Sequence, residues 1–241
     1  MALVGEAGFE RHLASGQLDH HARPEADREH LSLWAGLALF GRRAFAAPVV
    51  STLLCYTSIS ATFLLPFALI QGRGLSPAQT GLILTCQAIV MALVASISGT
   101  LSDRVGTRAP TTAGMLLVSL GLFLLSGLDG ATPLGGIVAV QALMGLGIGL
   151  FSSPNSSAVL GAVPAQRRGV ANGVLGTART LGIVLGIGLA GAVYTTTLGP
   201  SGEPLAEGIL RAAGAGLLVG SGVALLGVLT SAAPPRLAAG A

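Results

Sequence analysis

The chain has 241 residues, 51% of them hydrophobic and only 10% charged, with 36 glycines, a net charge of +3 and a mean hydropathy of +0.76. Soluble domains carry about 25% charged residues, so this chain lacks the coat that would meet water, and its apolar runs lack the polar face of a surface helix. The basic residues are all arginine and sit in loops rather than on one patch, which argues against nucleic acid as a partner. The lipid bilayer is the partner that composition selects.

Residues 1–30 hold all four histidines and six of the ten acids. They contain no apolar h-region of a signal peptide, and His20-His21 has no Cys or carboxylate cluster that would make a metal site. Residues 1–38 therefore read as a polar, disordered cytoplasmic tail with an interfacial segment. The apolar stretch Leu31–Phe40 is too short to span, and Trp34 suits a headgroup anchor.

Residues 39–229 read as a unit of six membrane-spanning helices, followed by a second cytoplasmic tail over 230–241. The expected spans are Ala47–Ile70, Ala78–Leu101, Pro110–Leu128, Leu134–Gly161, Gly169–Thr197 and Ile209–Leu229, each able to cross a ~30 Å hydrocarbon core. Ser76-Pro77 and Gly72 and Gly74 mark the first turn. An interruption is expected near Pro154, which removes a backbone donor. Alternating sides puts Arg42, Arg43, Arg104, Arg108, Arg167, Arg168 and Arg236 on one face, and only Arg73 and Arg211 on the other. The positive-inside rule then places both termini in the cytoplasm. Spans one to three and four to six run in opposite senses, as in inverted three-helix repeats.

The stretch Gly99–Arg108 is a charged hinge between two spans. Gly99 permits close helix approach, Gly106 permits the reversal, and Arg104 and Arg108 hold the turn at the membrane surface. Asp103 can accept hydrogen bonds from a helix amino end. The hinge fits a latch on one transport state or a static topogenic turn equally well.

Three stripes carry polarity into the membrane. Asn172, Gly176, Arg179, Gly182 and Gly186 recur at helical spacing on the fifth span, and a deep arginine normally faces a cavity or a partner. Gln141, Gly145, Gly149, Ser152 and Ser156 repeat the pattern on the fourth, with Asn155 beside them; Thr52, Tyr56 and Ser60 do so on the first. Close packing explains most of the glycines. For Tyr56, Gln141, Asn155 and Asn172, lining a substrate path and bonding between helices remain open alternatives; for Arg179 the alternative to a role in the path or between helices is a span that starts earlier, with the guanidinium snorkelling to the cytoplasmic surface.

Cys55 and Cys86 lack metal-ligand spacing and read as packing residues. Gly186-Ile-Gly-Leu-Ala-Gly191 fits a dinucleotide fingerprint in letters only, because no strand precedes it. Asn155-Ser-Ser is a glycosylation sequon inside a span. Neither catalytic motifs nor cofactor sites stand out, so the chain reads as no enzyme, without metal or cofactor.

Gly99-Thr-Leu-Ser-Asp103-Arg104-Val-Gly106-Thr-Arg108 resembles the Gly-x-Leu-Ala-Asp-Arg-x-Gly-x-Arg/Lys signature of the major facilitator superfamily. Phe63-Leu-Leu-Pro-Phe67, Leu75-Ser-Pro-Ala-Gln-Thr-Gly81, Gly147-Ile-Gly-Leu-Phe-Ser-Ser-Pro-Asn155, Arg168-Gly-Val-Ala-Asn-Gly173 and Thr177-Ala-Arg-Thr-Leu-Gly182 resemble its fourteen-helix drug:proton antiporter branch, over roughly Leu39 to Leu229. The resemblance implies an all-α, multi-pass plasma-membrane protein that exports small amphipathic molecules or drugs against protons by alternating access. It covers the carboxyl-terminal six helices, so the partner expected is an amino-terminal half or a second copy. In the branch that is resembled, proton-coupling acids generally belong to that other half, and no acid lies deep in any span here. The alternative is a truncated or non-transporting membrane protein that acts as a partner or regulatory subunit.

Overall fold

A computed structural model describes residues 41, 43–198 and 206–232. The expected tail over 1–38, Trp34, Arg42 and Arg236 lie outside the described residues. Among the described residues six helices are long and apolar enough to cross a membrane: α1 (Arg43–Gly72), α2 (Pro77–Val105), α3 (Arg108–Ser126), α4 (Leu134–Gly161), α5 (Arg168–Leu198) and α6 (Ala206–Ala232). The described residues form no strand.

Local chemistry sets the boundaries. Ser76 caps α2 in a reciprocal box, its hydroxyl accepting from the Gln79 amide at 3.2 Å while its own amide donates to Gln79 Oε1 at 3.1 Å, with Pro77 in the first turn. Gly106, at φ 80°, ends α2 in a conformation that a side chain would strain. Pro66 lies where α1 departs from regular geometry: Ser60–Leu64 is a 3-10 turn and Ala68–Gly72 a π turn, because proline offers no amide to the preceding turn. Between α3 and α4, Asp129 Oδ1 accepts from the Thr132 hydroxyl at 2.5 Å and the Ala131 amide at 3.1 Å. The Thr132 hydroxyl is the chief cause that holds the Asp129 carboxyl below the usual carboxylate range.

The expected break at Pro154 does not occur; α4 runs unbroken through it. The carbonyl that Pro154 leaves without an amide partner, that of Leu150, accepts instead from the Ser98 hydroxyl of α2 at 3.2 Å. A neighbouring helix thus supplies the missing donor, which is how membrane helices accommodate proline.

The packing obeys the inverted repeat. Within the bundle α2 lies on α4 and α5 on α1, while α3 packs on α4 and α6 on α1; exchanging the two triplets maps each pairing onto another. At the junction of α3 and α6, the Ser119 hydroxyl donates to the Ser221 carbonyl at 3.0 Å and the Ser221 hydroxyl to the Ser119 carbonyl at 3.0 Å. Each hydroxyl spends its one proton on the carbonyl of the other serine, so the two bonds form together as a reciprocal pair. The core holds Phe151, Met115, Met144, Leu122 and Leu217, all fully buried.

Glycine decides how closely the helices approach. A Cβ at Gly114 would sit 2.5 Å from the Gly147 carbonyl, and one at Gly147 2.8 Å from that of Gly114. Gly145 and Gly149 meet the α2 backbone at Gln87 and Met91 in the same way. Lipid tails are as apolar as leucine, so such contact, rather than apolar burial, holds helices together in the bilayer.

Candidate functional site

Burial is distributed unevenly, and this locates the face of interest. Only 11% of the apolar window of α2 and 28% of that of α5 is buried, against 39–50% for the other four helices. Leu82, Ile89, Leu93 and Ile97 form a strongly exposed large-residue stripe on α2, and Gly81, Thr85, Ala88, Ala92 and Ser96 an exposed small-residue stripe beside it. On α5, Gly169, Gly173, Gly176 and Thr180 make a second exposed small stripe, and a Cβ at any of the three glycines would meet nothing within 4 Å.

The α5 stripe read from spacing divides in space. Gly182 and Gly186 turn inward onto α1, where a Cβ at Gly182 would lie 2.6 Å from the Leu53 carbonyl, and one at Gly186 would strike the Thr57 carbonyl. Asn172 and Gly176 face outward. Steps averaging 3.5 residues drift around a helix of 3.6 per turn, so one apparent face spreads over two. Arg179 falls at the border between them.

There Arg179 meets Tyr56. The guanidinium carbon stands 5.0 Å from the centre of the phenol ring, within the reach of a cation–π contact. Arg179 is exposed and Tyr56 half-buried, and no hydrogen bond or ion pair joins Arg179 to any described residue. It lies eleven residues into α5, ~17 Å along the helix. The Cβ of Tyr56 is level with Gly182, where an added Cβ would come within 2.9 Å of it, so the side chain rests on a deep neighbour. An arginine at such depth normally faces a cavity or a partner. Among the described residues the acids are Asp103, Asp129 and Glu207, each at a helix end or in a loop; none offers a counter-charge at that level.

The other candidates are dispersed. Asn155 is buried, its Nδ2 donating to Thr52 Oγ1 at 2.7 Å and to the Pro48 carbonyl at 3.1 Å, which ties α4 to the start of α1. Gln141 is fully buried, with Nε2 donating to Gln87 Oε1 at 3.2 Å and Oε1 without a partner, so it sits between α2 and α4 rather than on the exposed face. Asn172 lies two turns from Arg179 on the same exposed flank. The structure therefore brings together Tyr56 and Arg179, while Gln141 and Asn155 bond between helices.

At the hinge, Asp103 and Arg104 are exposed in the last turn of α2, and Arg108 opens α3. Gly99 approaches α4, its Cβ position 3.3 Å from Ser153 Oγ. An acid in the last turn of a helix opposes the macrodipole, and Asp103 has no partner among the described residues. Two groups escaped the sequence reading: Gln87, opposite Gln141, and Ser98, opposite Leu150. Both were visible as polar residues in an apolar run; their partners lie on another helix.

Residues 48–240 match the Major Facilitator Superfamily. The chain belongs to that superfamily. As a major facilitator chain it is similar to the riboflavin transporter RibZ of Clostridioides difficile, at 34% identity over 67% of this chain and 36% of that protein. It is also similar to the multidrug resistance protein Stp of Mycobacterium tuberculosis, at 29% identity over 71% of this chain and 32% of the relative. To the tetracenomycin C resistance and export protein of Streptomyces glaucescens the identity is 28%, over 64% and 29% respectively. The chain spans about a third of the length of these curated relatives. Six helices, paired as two inverted triplets, are half of a major facilitator fold.

Proposed function

We propose that this chain is the carboxyl-terminal half of a proton-coupled exporter of small amphipathic molecules or drugs in the plasma membrane. The observation that carries the reading is the Tyr56–Arg179 pair, at bilayer depth on the face that the bundle leaves open. The exposed small-residue stripes of α2 and α5 suit close packing by another helical half, either an amino-terminal one or a second copy. Tyr56, Arg179 and Asn172 then border the path between the halves. The names of the relatives, with riboflavin transport, multidrug resistance and tetracenomycin C export among them, support export of small molecules.

In this reading the arginine-rich face is cytoplasmic, since Arg43, Arg104, Arg108, Arg167 and Arg168 stand against Arg73 and Arg211. Asp103 awaits a helix amino end of the other half, and closing that contact latches one of the two rocking states. The second reading, a membrane protein that only partners or regulates a transporter, draws on the lack of any deep acid among the described residues.

Everted vesicles that hold the chain, alone and with an amino-terminal half supplied in trans, test the proposal through ethidium accumulation driven by a pH gradient. Accumulation that nigericin collapses, and that Asp103→Asn reduces at unchanged membrane abundance, is the expected result. No gradient-driven accumulation in either arrangement overturns it in favour of the regulatory reading.

A further inference from the structure

We propose that a second site, apart from the exposed α2/α5 face, binds the phosphate headgroup of an anionic phospholipid. A cavity of about 430 Å³ opens between the first turns of α1 and α3 and the last turns of α4 and α6. This volume falls within the range of small-molecule sites, about 300–1,000 Å³. No residue of α5 lines it, so it lies away from the Tyr56–Arg179 pair.

Among the described residues that line it, Arg43 and Arg108 carry charge and no Asp or Glu does. Two helix amino ends and two carboxyl ends meet around it, so their macrodipoles largely offset one another and the Arg43 guanidinium is the charge offered to a ligand. Thr107 caps α3 without a side-chain hydrogen bond to the helix, which leaves its hydroxyl available beside Arg108. Asn155 also lines the cavity, but its amide is committed to α1 through Thr52 and the Pro48 carbonyl.

The remaining wall is mostly apolar, with Ala44, Ala47, Pro48 and Val50. A free inorganic phosphate would gain nothing from that surface, whereas the glycerol and upper acyl carbons of a lipid would cover it. Helix ends place the opening at headgroup level, on the face where arginines accumulate. A basic pocket between membrane helices at that level recognises anionic headgroups, and each arginine there is worth about a five-fold gain in affinity.

The test is native mass spectrometry of the full chain, released from detergent after equilibration with phosphatidylglycerol, phosphatidylcholine or inorganic phosphate alone. The expected result is preferential retention of phosphatidylglycerol, reduced about five-fold by Arg43→Gln and unaffected by Arg211→Gln on the other face. Ala47→Phe, which fills the apolar part and keeps both arginines, is expected to expel the lipid as well. Helicity and thermal unfolding in detergent confirm that each variant is folded, and either variant alone suffices for the test. Equal retention of the two lipids, insensitivity to both variants, or displacement of phosphatidylglycerol by millimolar inorganic phosphate overturns the proposal; the last would make the cavity a site for a soluble phosphate.

Discussion

The hydroxyl of Ser98 on α2 donates to the carbonyl of Leu150 on α4, the acceptor that Pro154 leaves vacant one turn on. Hydrogen bonds between membrane helices average about 0.6 kcal/mol, up to ~1.7. Ser98→Ala is expected to lose about that much against unfolding in SDS. In a Pro154→Ala background the restored amide takes the Leu150 carbonyl back, so the same substitution is expected to cost almost nothing. Equal losses in both backgrounds would show that the contribution of Ser98 does not depend on the gap at Pro154.

The two kinds of glycine on α5 separate packing within the half from packing against another. Gly186→Ala forces a methyl into the Thr57 carbonyl and is expected to destabilise the isolated chain by about 1–3 kcal/mol. Gly176→Ala meets open space and is expected to be neutral or stabilising by up to ~1 kcal/mol. If the small stripe docks another half, Gly176→Ala is nonetheless expected to impair co-purification of the two halves. Unchanged co-purification would count against that docking face.

Arg179 and Tyr56 are coupled through the ring face. A double-mutant cycle of Arg179→Gln and Tyr56→Leu is expected to return a coupling of about 1–2 kcal/mol, as for a desolvated cation–π pair. Arg179→Lys keeps the charge but loses the planar stack, and is expected to recover only part of it. A coupling near zero would make the contact incidental.

The Asp129 carboxyl lies below its usual range because the Thr132 hydroxyl and nearby amides stabilise its ionised form. The sign follows from a depressed value: the contribution to the turn is present above the ordinary carboxylate range and fades as pH falls through the lowered value. Thr132→Val removes the chief cause. The carboxyl band in infrared titration, isolated by difference against Asp129→Asn, is expected to move to higher pH in that variant.

Periodicity found the exposed flank of α5 but misjudged its width. Asn172, Gly176, Arg179, Gly182 and Gly186 share spacing, yet the last two pack on α1, and only the packing distinguishes them. For Gln141 spacing leaves path-lining and bonding between helices open; in space its amide faces Gln87. Both cases arise because a helix presents several equivalent faces, and sequence spacing cannot name the neighbour of each.

What the sequence by itself determined is the set of six apolar runs, their capped and glycine-marked ends, the arginine asymmetry and the hinge from Gly99 to Arg108. These are local consequences of hydrocarbon thickness, backbone satisfaction and turn chemistry, which a single segment expresses without its neighbours. What only the tertiary structure decided is pairing: α2 on α4 and α5 on α1, Ser98 repairing the gap at Pro154, and Arg179 laid on Tyr56. Those relations join residues far apart in the chain through close glycine contacts, and in a bilayer such contacts, not the burial of apolar surface, choose the partner.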